Sequence, residues 1–478
     1  MEAVQMARST VHPIPVERPF GVHEIFFSTT DRKGIIRSGN RVFTRVSGYT
    51  NDDLMGAPHN IIRHPDMPRV VFQLLWSEIG AGRSIAAYVK NMANDGTYYW
   101  VLATVMAVGD GYLSVRLKPT SPLLATVAAL YDELRAIEMT IENRGGSVKE
   151  AMAASGERLM ERLAELGFPD YQSFMYVALP TELRGYLEAR GAAQAVPASA
   201  RGTLAASLAA CLRLRTLLTR EFSRLDRYDE LEAAFDGKSE TVLALADDIR
   251  LFSLNAQIGA ARLRNVGAAL GVIADIMRVR SDAVAGSVRA MSEAITGATD
   301  ILSTLAFEVA LATMQCETAH QFMLEVSAED RDSDAALLAA NVSALGMCLR
   351  QVLAPLGARL SALQGYLDHV GRGVDLLHEE MGRLEMLQVA GRVETARLRE
   401  AGEFSALFQE IRGQVETAKR ELAELRVVKT LRRSRDNDGA ADVIERELGR
   451  IEAWAHEALL SAGRDASSTS ESVLAAAA

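Results

Sequence analysis

Eleven of the 12 prolines in this 478-residue chain lie at or before Pro197, leaving Pro355 alone in the remainder. Proline removes a backbone donor and clashes with the preceding helical turn, so a long stretch nearly free of it can form long helices. The second half is therefore expected to be almost entirely α-helical. Composition points the same way: 49% of residues are hydrophobic but only 6% aromatic, an apolar content dominated by Ala, Leu and Val, as in long helices. A chain of this length exceeds what one hydrophobic core organises, so two or more domains are expected.

The first 122 residues have another texture. Residues 24–30, 98–106 and Tyr112 to Leu117 are rich in β-branched and aromatic residues and read as strands. Asp31 to Gly34 and Asn94 to Gly96 supply turns. Arg41 to Val46 and Arg69 to Ile79 look helical, giving a mixed sheet with short helices on one side. Residues 1–19, with Pro13, Pro15 and Pro19, read as an irregular arm before a domain at 20–122. Beyond Pro122 a helical period sets in at Leu130, Leu134 and Ile137, and a linker at 123–200 is broken at Gly145-Gly146, at Gly167 to Asp170 and at Pro180. A helix, a tight connection and a second helix are expected over 201–330, with Asp236 to Ser239 interrupting the first. Amphipathic helices over 331–466 are expected to be separated near Gly357, Gly371 to Gly373, Gly391 and Asn437 to Gly439. The small, polar stretch 467–478 reads as a disordered tail.

A net charge of −10 argues against a general nucleic-acid binder. Cys211, Cys316 and Cys348 offer neither a disulfide framework nor a CxxC pair and read as reduced core thiols. The N-terminus lacks a basic-then-apolar signal pattern, and the longest uncharged run, Ala335 to Leu349, is short of the ~20 residues a spanning helix needs, so no membrane span and a cytoplasmic location are expected. His320, His369 and His378 lack metal-type partners. The basic run Arg426 to Arg435 reads as a solvated helix end. No Walker loop, nucleophile elbow, kinase motif or paired catalytic carboxylates stand out, so the chain reads as a non-enzyme, with no catalytic and no metal residues.

The most specific text is Asn60 to Pro68, Asn-Ile-Ile-Arg-His-Pro-Asp-Met-Pro. Two prolines fix the backbone there and aim Arg63, His64 and Asp66. On the residues alone, these side chains could simply cap and ion-pair a short helix. With Ser-Gly-Tyr-Thr at 47–50, Val-Lys-Asn at 89–91 and Asp-Gly-Thr-Tyr-Tyr-Trp at 95–100, the run resembles the PAS domain of bacterial aerotaxis receptors. The resemblance implies an α+β PAS domain that binds FAD, with Asn40, Arg63, His64, Asp66, Phe72 and Trp76 around the cofactor. Ile85 stands where flavin-binding relatives carry a Trp. Haem held by an axial histidine, or a pocket without cofactor, are the alternatives.

Leu251 to Arg262 resembles the hairpin tip of methyl-accepting chemotaxis receptors, agreeing at eight of twelve positions. The turn would fall at Arg264 to Gly267. This implies a mainly α-helical, coiled-coil-like hairpin region after the PAS domain. It also implies Leu251, Leu254, Asn255, Arg262 and Val272 as partner contacts, toward a chemotaxis histidine kinase and its coupling protein or a chemoreceptor array. Gly259 replaces the family's glutamate, and Ala268, Ala269 and Leu270 replace its Arg, Gly and Phe. No pairs of the kind that adaptation enzymes modify stand out. A homodimer through apolar stripes at Leu254 and Ile258 is expected. The resulting expectation is a redox- or oxygen-responsive signalling protein; the alternative is a helical scaffold or adaptor with a degenerate or haem-binding PAS domain.

Overall fold

The computed structural model describes residues 11–190, 196–197, 200, 202–262, 267–328, 335–397, 402–424 and parts of 446–453. They divide into two compact units. One comprises Met1–Phe222, Ala306–Leu356 and Gly439–Ala478; the other comprises Ser223–Leu305 and Gly357–Asp438.

The first unit is built on a five-stranded sheet: β1 (Ile25–Asp31), β2 (Ile36–Gly39), β3 (Ile85–Met92), β4 (Tyr98–Val108) and β5 (Gly111–Leu117). The order is β2-β1-β5-β4-β3, and all neighbouring pairs are antiparallel. The expected mixed sheet is thus corrected. Tight turns join β1 to β2, β3 to β4 and β4 to β5, and a tight turn can only join antiparallel neighbours. Among the described residues, parallel pairing occurs at the bridge between Glu17, in the N-terminal arm, and Tyr98. At the β1–β2 turn, Asp31 Oδ1 accepts from Lys33 N at 2.8 Å and Ile35 N at 2.9 Å, and Gly34 takes φ +79°, a region only glycine enters cheaply.

Between β2 and β3 come α1 (Arg41–Ser47), α2 (Asn51–Leu54), a 3-10 turn (His59–Ile62) and α3 (Arg69–Gly80). Side chains alternate across a strand, so β1 sends Phe26 and Ser28 inward and Phe27 outward. Phe26 lies 6.1 Å from the Phe43 ring of α1, and Phe27 meets Phe322 edge-on at 5.2 Å. The outer face is therefore also covered, which is why all seven residues of β5 are buried. An antiparallel sheet usually wets one face; here helices from later in the chain replace the water.

The helices that follow the sheet are α4 (Leu123–Asn143), α5 (Val148–Glu165) and α6 (Tyr171–Arg190); α4 and α6 meet β3, and α5 packs on α3 and α4. Tyr171 Oη donates to Ala86 O and Tyr131 Oη to Tyr88 O, both at 3.0 Å, seating α6 and α4 on β3. Glu182 of α6 is fully buried; it accepts from Tyr88 Oη at 2.7 Å and from the amides of Thr120 and Ser121 at 2.6 and 3.0 Å. Pro180 does not break α6.

Two 61-residue helices follow, α7 (Gly202–Arg262) and α8 (Ala268–Ala328), each about 90 Å long at 1.5 Å per residue. The expected break at Asp236 to Ser239 is absent, because one interior glycine costs only about 1 kcal/mol relative to alanine. Residues 263–266, where most of the expected turn falls, lie outside the described residues. Then come α9 (Ala335–Leu353), α10 (Leu356–Arg397) and α11 (Gly402–Glu424), with Pro355 between α9 and α10. Asn437 to Gly439 and the 467–478 tail lie outside the described residues.

In the second unit the hairpin arms pack with α10 and α11. Arg280 reaches Glu380 at 3.4 Å, and Gln414 Nε2 donates to Asp248 at 2.8 Å. Gly373 and Gly391, expected as breaks, lie inside continuous α10. A Cβ at Gly373 would fall 2.3 Å from Met291, and one at Gly391 2.3 Å from the Phe408 ring. Glycine serves there for close helix approach. Among the described residues one stretch, Ala268–Glu325, is long and apolar enough to cross a membrane, with half of its apolar window buried. The uncharged-run criterion missed it. Its later part, including Phe307, Leu311, Met314 and Phe322, is core of the first unit.

Candidate functional site

A cavity of about 280 Å³ lies between the inner face of the sheet, the 3-10 turn and α3. Phe72, Leu75, Trp76 and Ile79 of α3 form one wall, and Val89, Ala103 and Val105 of β3 and β4 the opposite one. Trp76, 44% exposed, stands edge-on to Tyr112 at 5.6 Å. A Cβ on Gly34 would come within 3.2 Å of the indole, so the β1–β2 turn and Trp76 close on one another.

Polar groups converge on one side. Arg116 of β5 is buried; its Nη2 lies 2.6 Å from His59 Nε2, and its Nη1 donates to Ser28 Oγ at 3.0 Å. Ser28 Oγ is 3.1 Å from the same His59 nitrogen. Burial pulls Arg116 down to about 10, still charged at neutral pH. Burial first, then the neighbouring Arg116, depresses His59 to about 3, so the imidazole is neutral and accepts. Ser114 Oγ, also lining the cavity, is buried without a hydrogen-bond partner. Lys33, Arg63 and Arg116 contribute positive charge, and no Asp or Glu lies among the lining residues. A buried cation without a carboxylate is costly, and an acceptor-rich ligand would offset that cost.

Of the six expected cofactor residues, Arg63, Phe72 and Trp76 line the cavity. The Arg63 guanidinium stacks 4.1 Å above the Phe72 ring and donates to Met67 O at 3.0 Å. The other three stand outside the wall. Asn40 caps α1, accepting from Phe43 N and Phe27 N, both at 3.3 Å. His64 is buried, and its Nδ1 accepts from Asp66 N at 3.2 Å. Burial, then Lys90, lowers its pKa to about 4 against the opposing pull of Asp66. Asp66 pairs with Lys90 at 2.7 Å. The Arg-His-Pro-Asp run therefore splits: Arg63 faces the cavity, Asp66 fastens the loop to β3 through Lys90, and His64 packs edge-on against Tyr98 of β4.

Sequence reasoning missed His59, Arg116, Ser28 and Ser114. One signal was present: Arg116 is the one charged residue in the strand Gly-Tyr-Leu-Ser-Val-Arg-Leu, at a position sharing a face with Ser114. Ile85 shares the cavity-side face of β3 with Val89 and Asn91 and pairs with Val105, so the expected Trp position borders the site. Of the partner contacts expected at the tip, Leu251, Leu254 and Val272 are 60%, 50% and 60% exposed, and Asn255 is exposed. The Arg262 side chain lies outside the described residues. Among the described residues no His, Cys, Asp and Glu cluster could hold a metal.

The sequence pattern of the PAS fold matches residues 37–113. The aerotaxis receptor of Escherichia coli (strain K12) is 36% identical over 132 residues, which are 26% of this chain and 26% of that receptor. A fungal LOV domain photoreceptor aligns over 22% of this chain and 79% of its own, at 18% identity and a TM-score of 0.18, too low to bear on the assignment. The five-stranded antiparallel sheet, the helices between β2 and β3 and the receptor match agree: the N-terminal domain of this chain is an aerotaxis-receptor-like PAS domain.

Proposed function

We propose that this chain is a soluble, cytoplasmic redox- or oxygen-responsive signalling protein whose PAS cavity takes the ring system of a flavin, FAD by the receptor likeness. The observation that carries this reading is the cavity's make-up: aromatic and aliphatic walls, three cationic residues, a buried Ser114 hydroxyl without a partner, and no acid. A flavin is a planar apolar ring with an acceptor-rich edge, and it supplies reversible electron uptake. Phe72, Trp76 and Tyr112 would flank the ring. Arg116 and Ser114 would meet its acceptors, and Arg63 and Asn91 would orient the opposite side. At about 280 Å³ the cavity sits at the small end of ligand sites, which run about 300–1,000 Å³. It suits the ring, with the adenosine end outside. Haem is disfavoured, because the imidazole lining the cavity, His59, already has its Nε2 engaged by Arg116 and Ser28.

Output would pass through the helices, and the exposed stripe of Leu251, Leu254 and Ile258 with Val272, Ile276 and Val279 supports a helical partner surface. A second copy, or a chemotaxis kinase with its coupling protein, are the partners in this reading. The test is the absorbance spectrum of protein purified from cells supplied with riboflavin. Bound flavin bands, bleached by reductant and restored by air, are expected. A Soret band, or a colourless protein that also fails to take up added FAD, overturns the flavin assignment and leaves the adaptor reading.

A further inference from the structure

We infer that Glu138 of α4 is a positioning residue for the PAS cavity, and that through it the occupancy of the cavity is read by the helices that follow the sheet. The first amides of a helix lack intrahelical acceptors. For α3 the N-cap is Pro68, which provides no side-chain bond. The missing acceptor comes from 69 residues away: Glu138 Oε2 accepts from Arg69 N at 2.8 Å and Oε1 from Val70 N at 3.1 Å. The carboxylate is fully buried. Ser155 Oγ of α5 donates to it at 3.1 Å, and Arg135 lies 3.3 Å away. A negative charge there also complements the positive end of the α3 dipole.

The geometry makes this more than a cap. Phe72, Leu75, Trp76 and Ile79, the α3 residues that wall the cavity, begin two positions beyond Val70. Helix α3 is a rigid rod of 12 residues, so a ligand that displaces Phe72 or Trp76 moves the Arg69 and Val70 amides with them. Because the carboxylate is buried, a lost bond cannot be replaced by water, and the displacement passes to α4 and α5. Glu142, one turn further along α4, pairs only with the Arg69 side chain, at 2.8 Å, where α3 is concerned. It offers a matched control that leaves the amides capped.

The inference rests on the flavin reading, and the experiment separates the two. The full chain is stripped of flavin and titrated with FAD by fluorescence, and amide exchange of α3 and α4 is measured with and without FAD. Glu138→Gln is expected to weaken FAD binding about tenfold, to speed exchange across residues 69–79 in the ligand-free protein, and to abolish the protection that FAD confers on α4. Glu142→Gln should change affinity less than twofold and keep that protection. Should Glu138→Gln fail to fold, Ser155→Ala takes its place, with a smaller loss of affinity and partial loss of the α4 response. A purely structural role would lower stability yet leave the FAD-dependent protection of α4 in place, and that result overturns the inference. If the wild type binds no FAD, the flavin reading fails by itself. The inference then stands if Phe72→Ala, which alters the cavity wall, changes exchange in α4 when Glu138 is present but not in the Glu138→Gln background, and falls if the α4 response is the same in both.

Discussion

Arg116 Nη2 and His59 Nε2 stand 2.6 Å apart in the cavity wall, and the pair carries one positive charge rather than two. The imidazole accepts through Nε2, so its proton sits on Nδ1, and burial beside Arg116 holds the ring neutral. Among the described residues, the hydrogen-bond partners of the charged guanidinium are a histidine, a serine and a carbonyl. Replacing Arg116 by methionine should therefore have opposite effects on the two states of the protein. FAD affinity should fall tenfold or more, about 1.4 kcal/mol. The ligand-free protein should be unchanged or more stable by about 1–3 kcal/mol, because an uncompensated buried charge has gone. Urea unfolding and FAD titration of the same preparations check both signs.

Buried His64 gives a pH dependence. In the folded protein His64 titrates at about 4, and His59 and His320 are likewise depressed, to about 3 and about 4; free imidazole titrates near 6.5. The unfolded chain thus binds more protons between these values, so stability is complete above pH ~6.5 and falls as pH drops toward 4. Each such histidine contributes a slope of up to about 1.4 kcal/mol per pH unit. Urea midpoints at pH 7, 6 and 5 should decline for the wild type and decline less steeply for His64→Gln. An unchanged slope in that variant would show that His64 is not held neutral.

Two glycines in the second unit should respond oppositely to the same substitution. Gly413, exposed in α11, has nothing within 4 Å of where an added methyl would sit, whereas a methyl at Gly391 would strike the Phe408 ring at 2.3 Å. Gly413→Ala should stabilise by about 0.5–1 kcal/mol through helix propensity. Gly391→Ala should destabilise by about 1–3 kcal/mol through overpacking. Thermal unfolding of both variants decides.

Much of the sheet was legible because β1, β4 and β5 are dense in aromatic and β-branched residues. Strand β2, Ile-Arg-Ser-Gly, is too short and polar to register, and β3 opens Ile-Ala-Ala; tertiary pairing overrides propensity in both. The glycines of α10 misled for a related reason. Their meaning depends on Met291 and Phe408, which are contributed by other helices. The candidate site was half legible: Arg63, Phe72 and Trp76 sit on one continuous stretch, whereas His59, Ser28 and Arg116 are assembled from three separate elements by the strand register. Neither Glu138 nor Glu182 could be distinguished in sequence from the solvated glutamates around them.

At the hairpin tip, Leu254 and Val272 remain 50% and 60% exposed although α10 and α11 cover other faces of the same bundle. If that surface binds a second copy, the double variant Leu254→Glu with Val272→Glu should turn a dimer into a monomer while leaving helicity intact. Sedimentation equilibrium, at a concentration on the order of tens of micromolar, measures whether this exposed apolar patch associates. A wild-type protein that is monomeric throughout would exclude self-association by this stripe.

The flavin assignment is met most directly by titrating FAD into the flavin-free chain and measuring stoichiometry together with the quenching of tryptophan fluorescence. The account predicts saturation at about one FAD per chain, as occupancy of the PAS cavity requires, with quenching that is reduced when Trp76, at the cavity's edge, is replaced by phenylalanine. Linear, non-saturating quenching, or saturable binding that survives both Arg116→Met and Trp76→Phe unchanged, would contradict it.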